Sequence, residues 1–143
     1  MKGTTMKRLL MLGIVLMLAA CSGDGHLRPS IQADLNSPRA QAVLNPAIRL
    51  DFSQAQYRGQ NLGTYVANKK TNSYNKRGPQ ACQIAFLSAV RSLQNRAASL
   101  GGNAVVNIHS FYKKNATYSP TTYDCDDGYL MAGVALRGTV IKE

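Results

Sequence analysis

The sequence predicts a small α+β domain in which a mixed or antiparallel sheet of about four strands carries one long helix on one face. Short segments alternate apolar and polar residues or are rich in β-branched ones, and one long segment repeats apolar residues every three or four positions. The two kinds of segment follow one another in mixed order, which is typical of α+β folds. We expect this domain to span residues 47–143.

The first twenty residues have the composition of an export signal. Lys2, Lys7 and Arg8 precede an apolar run of twelve residues, Leu9 to Ala20. That run is too short to cross a membrane, which takes about 20 helical residues. We therefore expect residues 1–20 to be a signal peptide.

Cys21 ends the stretch LAAC, which has the form of a bacterial lipobox. Small residues before the cysteine admit the peptidase, and the thiol carries the lipid. Three acyl chains on Cys21 would anchor the chain stably, since one chain alone binds a bilayer weakly. Ser22, rather than Asp, follows the cysteine, which favours the inner leaflet of the outer membrane, facing the periplasm. The alternatives are an ordinary signal peptide with an incidental cysteine, or an uncleaved anchor.

The charge balance indicates which partners to expect. Without the three basic residues of the signal, 14 Lys and Arg against 7 Asp and Glu leave a net charge of about +7. Outside the cytoplasm the available polyanions are lipid phosphates, lipopolysaccharide and cell-wall polymers such as peptidoglycan, so we expect envelope partners and no nucleic acid. The alternative is a basic surface that serves solubility alone.

Two further cysteines, Cys82 and Cys125, follow Cys21. An even count in an oxidising compartment predicts one disulfide, which would close a loop of about 44 residues. The alternatives are two buried thiols, or a metal pair completed by His109. No C-x-x-C or H-x-x-x-H spacing supports the metal pair.

Residues 21–46 are punctuated by Gly, Pro, Ser, Asn and Asp and keep no apolar period, so we expect a flexible tether. A short helix at Pro38 to Leu44, capped by Ser37, is the regular element that this segment suggests. Residues 47–52 then alternate as a half-buried strand.

The next segments predict a strand, a basic loop and a long helix. Residues 61–67 alternate as a strand, and residues 68–78 form a polar, basic loop. From Pro79 to a stop at Gly101, apolar residues recur at helical spacing and form a core-facing stripe. Gln94 falls among the polar residues of the opposite side.

The C-terminal part predicts two strands around a long loop. Residues 104–112 are rich in β-branched residues, and residues 113–128 read as a polar loop or irregular hairpin. Residues 129–142 have little polar interruption, which indicates a central strand.

The run RAASLGGNAVVNI followed by MAGVALRGTVI is similar to the YbjQ-like family of heavy-metal-binding domains, over about Pro79 to Ile141. This resemblance implies a small-molecule or metal-binding oligomer. A pattern over most of the domain resembles small secreted bacterial proteins, some of them labelled excinuclease ATPase subunits. RcsF-like envelope-stress lipoproteins resemble the chain more distantly, with a similar lipidated, disulfide-bonded build. The positions of the second pattern are residues 68–72, 81–89, 101–108, 123, 125 and 133–138.

The excinuclease label conflicts with the residues. The chain has no G-x-x-x-x-G-K-[ST] loop to cradle phosphates, and its glycine-rich stretch GGNAVV precedes a predicted strand rather than a helix. These glycines suit a helix stop and a turn instead.

Basic residues beside tyrosines form the strongest candidate for a binding surface. Together they could hold an anionic ligand, and the alternative is a solvated loop. The candidate residues are Lys69, Lys70, Tyr74, Lys76, Arg77, Lys113 and Lys114.

Support for a metal site or an active site is weak. Asp124, Asp126 and Asp127 flank Cys125 but lack an EF-hand ligand pattern, and His109 reads as a structural histidine. No G-x-S-x-G elbow or pair of catalytic carboxylates is present. We expect no cofactor and no catalysis. The sequence favours a lipid-anchored binding or envelope-sensing module, with the YbjQ-type oligomer as the alternative.

Overall fold

The structure is a computed structural model that describes residues 25–74 and 76–143. The predicted signal peptide, residues 1–20, and the predicted lipidation site, Cys21, lie outside the described residues. None of the helices in the described part of the chain is long and apolar enough to cross a membrane. The elements in chain order are β1 (His26–Leu27), α1 (Ile31–Leu35), α2 (Pro38–Val43), β2 (Arg49–Leu50), β3 (Gln60–Asn72), α3 (Gly78–Ser99), β4 (Ala104–Tyr112), β5 (Asn115–Thr117), β6 (Cys125–Asp127) and β7 (Met131–Lys142).

The sheet has seven strands rather than the four predicted. Its centre is β7, which pairs with β3 on one side and with β4 and β6 on the other, all antiparallel. Strand β2 adds to β4 in parallel, β5 forms a hairpin with β4, and β1 pairs with β6. The four predicted strands correspond to β2, β3, β4 and β7, although β2 has two residues where six were predicted. The three additional strands, β1, β5 and β6, have two or three residues, too few to show an alternating pattern. On the outer edge of β3, no strand of residues 25–74 and 76–143 pairs with it.

Helix α3 covers one face of the sheet, as its sequence pattern predicts. Pro79 stands in its first turn, and the chain reverses at Gly101, whose φ is +77°. The amide of Gly102 then donates to the Ala97 carbonyl at 2.8 Å, which satisfies one of the last helical carbonyls. Successive residues of β4 take opposite faces of the sheet, so Val105 joins the core under α3 while Val106 belongs to a smaller buried cluster.

Residues 21–46 were predicted to be a flexible tether, but from residue 25 onward this segment contains β1 and the short helices α1 and α2. Serines cap both short helices: Ser30 accepts from the amide of the third residue after it, and Ser37 does the same for α2. Ile31 and Ala40 are 3% and 2% exposed, so both helices contribute to the core. Helix α2 matches the short helix that the sequence suggests. Helices of five and six residues are too short to show a helical period in the sequence. The composition of the segment, taken alone, therefore predicted a tether.

Gln94 lies in the core and not on the solvent side predicted for it. It is 2% exposed. Its amide nitrogen donates to the carbonyls of Asn45 (2.9 Å) and Ile48 (3.0 Å), and its Oε1 accepts from the Asn45 amide at 2.8 Å. One side chain of α3 thus fixes the connection between α2 and β2.

Cys82 of α3 and Cys125 of β6 lie at disulfide distance, with their sulfurs 2.06 Å apart. Both residues are fully buried. Beside them the ring of Tyr123 stacks on Phe86 with centroids 4.0 Å apart. The pair joins the start of α3 to β6, the short strand that lies between β1 and β7.

Candidate functional site

The predicted basic patch is divided in the structure, and its first part lies between β3 and α3. Lys69 and Lys70 stand opposite Val134 and Gly133 of β7, at the exposed end of the edge strand. An open groove of about 350 Å³ runs from there to α3. Arg91 joins this groove from the helix, and sequence reasoning missed it because helix and loop meet only in the fold. The lining residues are Lys69, Lys70, Ser88, Arg91, Ser92 and Asn95.

A second basic group lies where β4 turns into β5. A Cβ atom placed on Gly133 would lie 3.3 Å from the Tyr112 ring and 3.7 Å from Cγ of Lys70, so the ring passes over this glycine beside Lys70. Lys113 Nζ is 5.5 Å from the centre of the same ring. Lys114 is exposed beside it in the turn, and both turn lysines have a positive φ.

The third group stands at one end of the molecule, where the loop after β3 meets the turn between β6 and β7. The amide of Ser73 donates to the Leu130 carbonyl, and its hydroxyl donates to the Gly128 carbonyl, each at 2.9 Å. Lys76 Nζ donates to the Asn72 carbonyl at 2.7 Å. We call this end the tip; it comprises Tyr74, Lys76, Arg77, Tyr129, Leu130 and Met131.

The tip exposes large apolar side chains that sequence reasoning assigned to the last strand or left in the loop. The exposed fractions are 62% for Tyr74, 91% for Tyr129, 60% for Leu130 and 46% for Met131. The sequence of residues 129–142 did not indicate that its first residues are exposed in a turn, because the turn residues are as apolar as those of the strand that follows.

His109 is built into the fold through both ring nitrogens. Nδ1 lies 2.8 Å from the Asn107 carbonyl, and Nε2 accepts from Nε of Arg137 at 3.0 Å. This pattern fits a neutral ring with its proton on Nδ1. Burial lowers the pKa of His109, and the positive charge of Arg137 lowers it further, while the bond to Asn107 acts in the opposite direction. Tyr118 stacks on the ring with centroids 4.3 Å apart.

The three acidic candidates, Asp124, Asp126 and Asp127, each contact different residues. Oδ1 of Asp124 lies 3.5 Å from Nε2 of His26 and 3.4 Å from Nε of Arg28. Asp126 accepts from the Tyr112 hydroxyl at 2.9 Å. This contact and burial raise the pKa of Tyr112, with burial the larger cause.

Asp127 lies at the start of α3, where a Cβ atom on Gly78 would lie 2.3 Å from its Oδ2. The partial positive charge of a helix N-terminus favours a carboxylate there. Its Oδ1 is buried and has no hydrogen-bond partner in the described part of the chain. Within residues 25–74 and 76–143, no three His, Cys, Asp or Glu side chains gather as a metal site would require.

A depression lies beside Tyr118, the residue that stacks on His109. It measures about 480 Å³ and is open to solvent. Its lining contains amides and tyrosines, which can make polar contacts with a ligand. The lining residues are Gln54, Ala55, Gln56, Tyr57, Asn107 and Tyr118.

No protein-family model matches this chain, and neither a curated protein nor a solved structure was found to be similar to it.

Proposed function

We propose that the protein is a lipoprotein of the bacterial outer membrane, anchored through Cys21 on the periplasmic side, and that it acts there as a non-catalytic binding or envelope-sensing module. The observation that carries the proposal is the buried pair Cys82 and Cys125, whose sulfurs are 2.06 Å apart. Disulfides persist in oxidising compartments such as the periplasm, and the signal-like segment ending in LAAC would send the chain there.

The surface supports binding to anionic partners. Lys69 and Arg91 line one groove, Lys113 and Lys114 are exposed on a nearby turn, and the tip adds further basic residues. A positive surface of this kind attracts lipopolysaccharide phosphates or the acidic groups of peptidoglycan. The depression beside Tyr118 offers polar contacts for a protein or a small ligand.

Mass spectrometry of the native product tests the anchor. We expect the mature chain to begin at an acylated Cys21, and a Cys21→Ser variant to lose both the acyl mass and the membrane fraction. An unmodified, full-length polypeptide in the cytosol would refute the proposal.

Retention on immobilised lipopolysaccharide or peptidoglycan tests the binding role. We expect Lys69→Gln/Lys70→Gln to weaken retention and to reduce its dependence on salt, because screening acts on the same charges. Arg58→Gln/Lys142→Gln is the matched control, since it removes two exposed charges near the other end of β3 and β7. Equal losses in both variants would indicate net charge alone and would contradict a defined patch.

Elemental analysis of the purified protein tests the YbjQ-type alternative. Stoichiometric metal that disappears in a His109→Gln variant would favour the metal-binding oligomer over the proposed role.

A further inference from the structure

The tip combines exposed apolar side chains with basic ones. Tyr129, Leu130, Met131 and Tyr74 all expose about half or more of their surface, which is unusual for neighbouring residues of these types. The turn that presents them is ordered by the Gly128 amide, which donates to the Met131 carbonyl at 2.8 Å. The apolar side chains are therefore held outward by a defined turn.

The charges next to these side chains favour an anionic surface. Lys76 and Arg77 follow Tyr74 in the same loop, and Lys69 and Lys70 lie a few residues back along β3. Two carboxylates of the described residues lie at this end, but neither is fully exposed: Asp126 accepts from Tyr112, and Oδ1 of Asp127 is buried. Aromatic and aliphatic side chains flanked by Lys and Arg are typical of surfaces that enter the headgroup region of a bilayer.

The chain reaches the tip directly from the predicted anchor. The Gly25 carbonyl accepts from the Asp127 amide, which places residue 25 beside the turn between β6 and β7. Gly25 follows Cys21 by four positions, a distance along the chain that can span about 14 Å at most. The far end of β7, at Lys142, lies about 36 Å from Met131 along the strand. Attachment at Cys21 therefore brings the tip, and not the opposite end, to the bilayer.

We infer that the tip is a membrane-contacting surface, which inserts Tyr129, Leu130 and Met131 among the headgroups of the bilayer that holds the Cys21 lipid. Lys76 and Arg77 then face lipid phosphates. This inference rests on the proposed lipid anchor. It gives the protein a fixed orientation, with β1 and the tip toward the membrane and the depression near Tyr118 away from the end that contacts lipid.

A fluorescent reporter at the tip tests the inference, because the chain contains no tryptophan. Tyr129→Trp is placed in the full acylated protein, reconstituted in vesicles of phosphatidylethanolamine and phosphatidylglycerol. We expect a blue-shifted emission and quenching by lipids brominated near the headgroup. Tyr57→Trp is the matched control, since Tyr57 precedes the far end of β3 and is 38% exposed. Its emission should be quenched little.

The basic residues have a separate test in the same vesicles. With the Tyr129→Trp reporter, Lys76→Gln/Arg77→Gln should lower the ratio of docked to undocked protein by roughly 25-fold, at about fivefold for each basic residue near an anionic surface. The effect should vanish in vesicles of neutral phosphatidylcholine. An unchanged ratio in the anionic vesicles would overturn the assigned role of these two residues.

Flotation separates failure of the inference from failure of the anchor. If the acylated protein floats with the vesicles but the fluorescence of Tyr129→Trp is not quenched, the lipid anchor is supported and insertion of the tip is refuted. A tip that is unquenched on vesicles but protected from labelling in native envelopes indicates a protein partner and overturns the inference as well. Protein that carries no acyl group and does not float refutes the proposed function itself.

Discussion

Replacing Gln94 by leucine removes three hydrogen bonds from the core while keeping most of the side-chain volume. The lost bonds join α3 to the Asn45 amide and to the carbonyls of Asn45 and Ile48. Each is worth about 1 kcal/mol net, so we expect a loss of about 2–4 kcal/mol from the free energy of unfolding. A domain of this size has about 5–15 kcal/mol in total, so the loss is large.

Urea unfolding followed by circular dichroism measures the effect. With a slope of about 1.5 kcal/mol per molar urea, the midpoint of Gln94→Leu should fall by roughly 2 M without a change of slope. Gln80→Leu makes the same substitution at an exposed position of the same helix and should change stability by less than about 0.5 kcal/mol. Equal midpoints for the two variants would refute the role assigned to Gln94.

Three further predictions concern stability. Cys82→Ala/Cys125→Ala should lower the free energy of unfolding by about 4 kcal/mol, because it removes a cross-link between residues 43 positions apart. A reducing agent should lower the urea midpoint of the parent protein and leave that of the variant unchanged. The pKa of His109 is lowered in the folded protein, so as the pH falls the unfolded chain takes up a proton before the folded one does. The free energy of unfolding should therefore be constant above about pH 6.5 and fall below it, and His109→Gln should remove this dependence on pH. Urea midpoints that do not respond to pH between 5 and 7 would contradict the prediction. Gly138→Ala should cost about 1–3 kcal/mol in thermal unfolding, because the new methyl group would lie 2.7 Å from Cγ1 of Val105; an unchanged melting temperature would show that the core yields there.

The parts of the fold that follow from local periodicity were predictable. Helix α3 shows its apolar stripe over 22 residues, and β4 and β7 are long enough to show their composition. The edge strand β3 runs to Asn72, further than the alternation predicts, because pairing with β7 extends it through the polar residues 68–72. Strand formation there depends on a partner and not on side-chain preference.

The parts that depend on distant contacts were not predictable. The amide of Ile31 donates to the Thr121 carbonyl, ninety positions away, and nothing in the local composition of residues 21–46 announces that contact. The burial of Gln94 depends on backbone groups 46 and 49 positions away. For the candidate site, adjacent lysines were rightly located at the surface, but their division among a groove, a turn and the tip follows from sheet and helix placement alone.

With the proposed lipid anchor, copies of this protein would share one membrane, and the open outer edge of β3 would then have a consequence for them. Lateral confinement would raise the frequency at which neighbouring molecules collide. The outer edge of the 13-residue strand β3, with which no strand of the described residues pairs, is open to sheet extension from one molecule to the next. Two such strands aligned antiparallel about Lys69 and Lys70 would place Lys69 of each strand opposite Lys70 of the other, one pair of like charges on each face of the sheet, which is unfavourable. The same two lysines that we propose to bind an anionic ligand would therefore also oppose sheet extension from copy to copy in the plane of the bilayer.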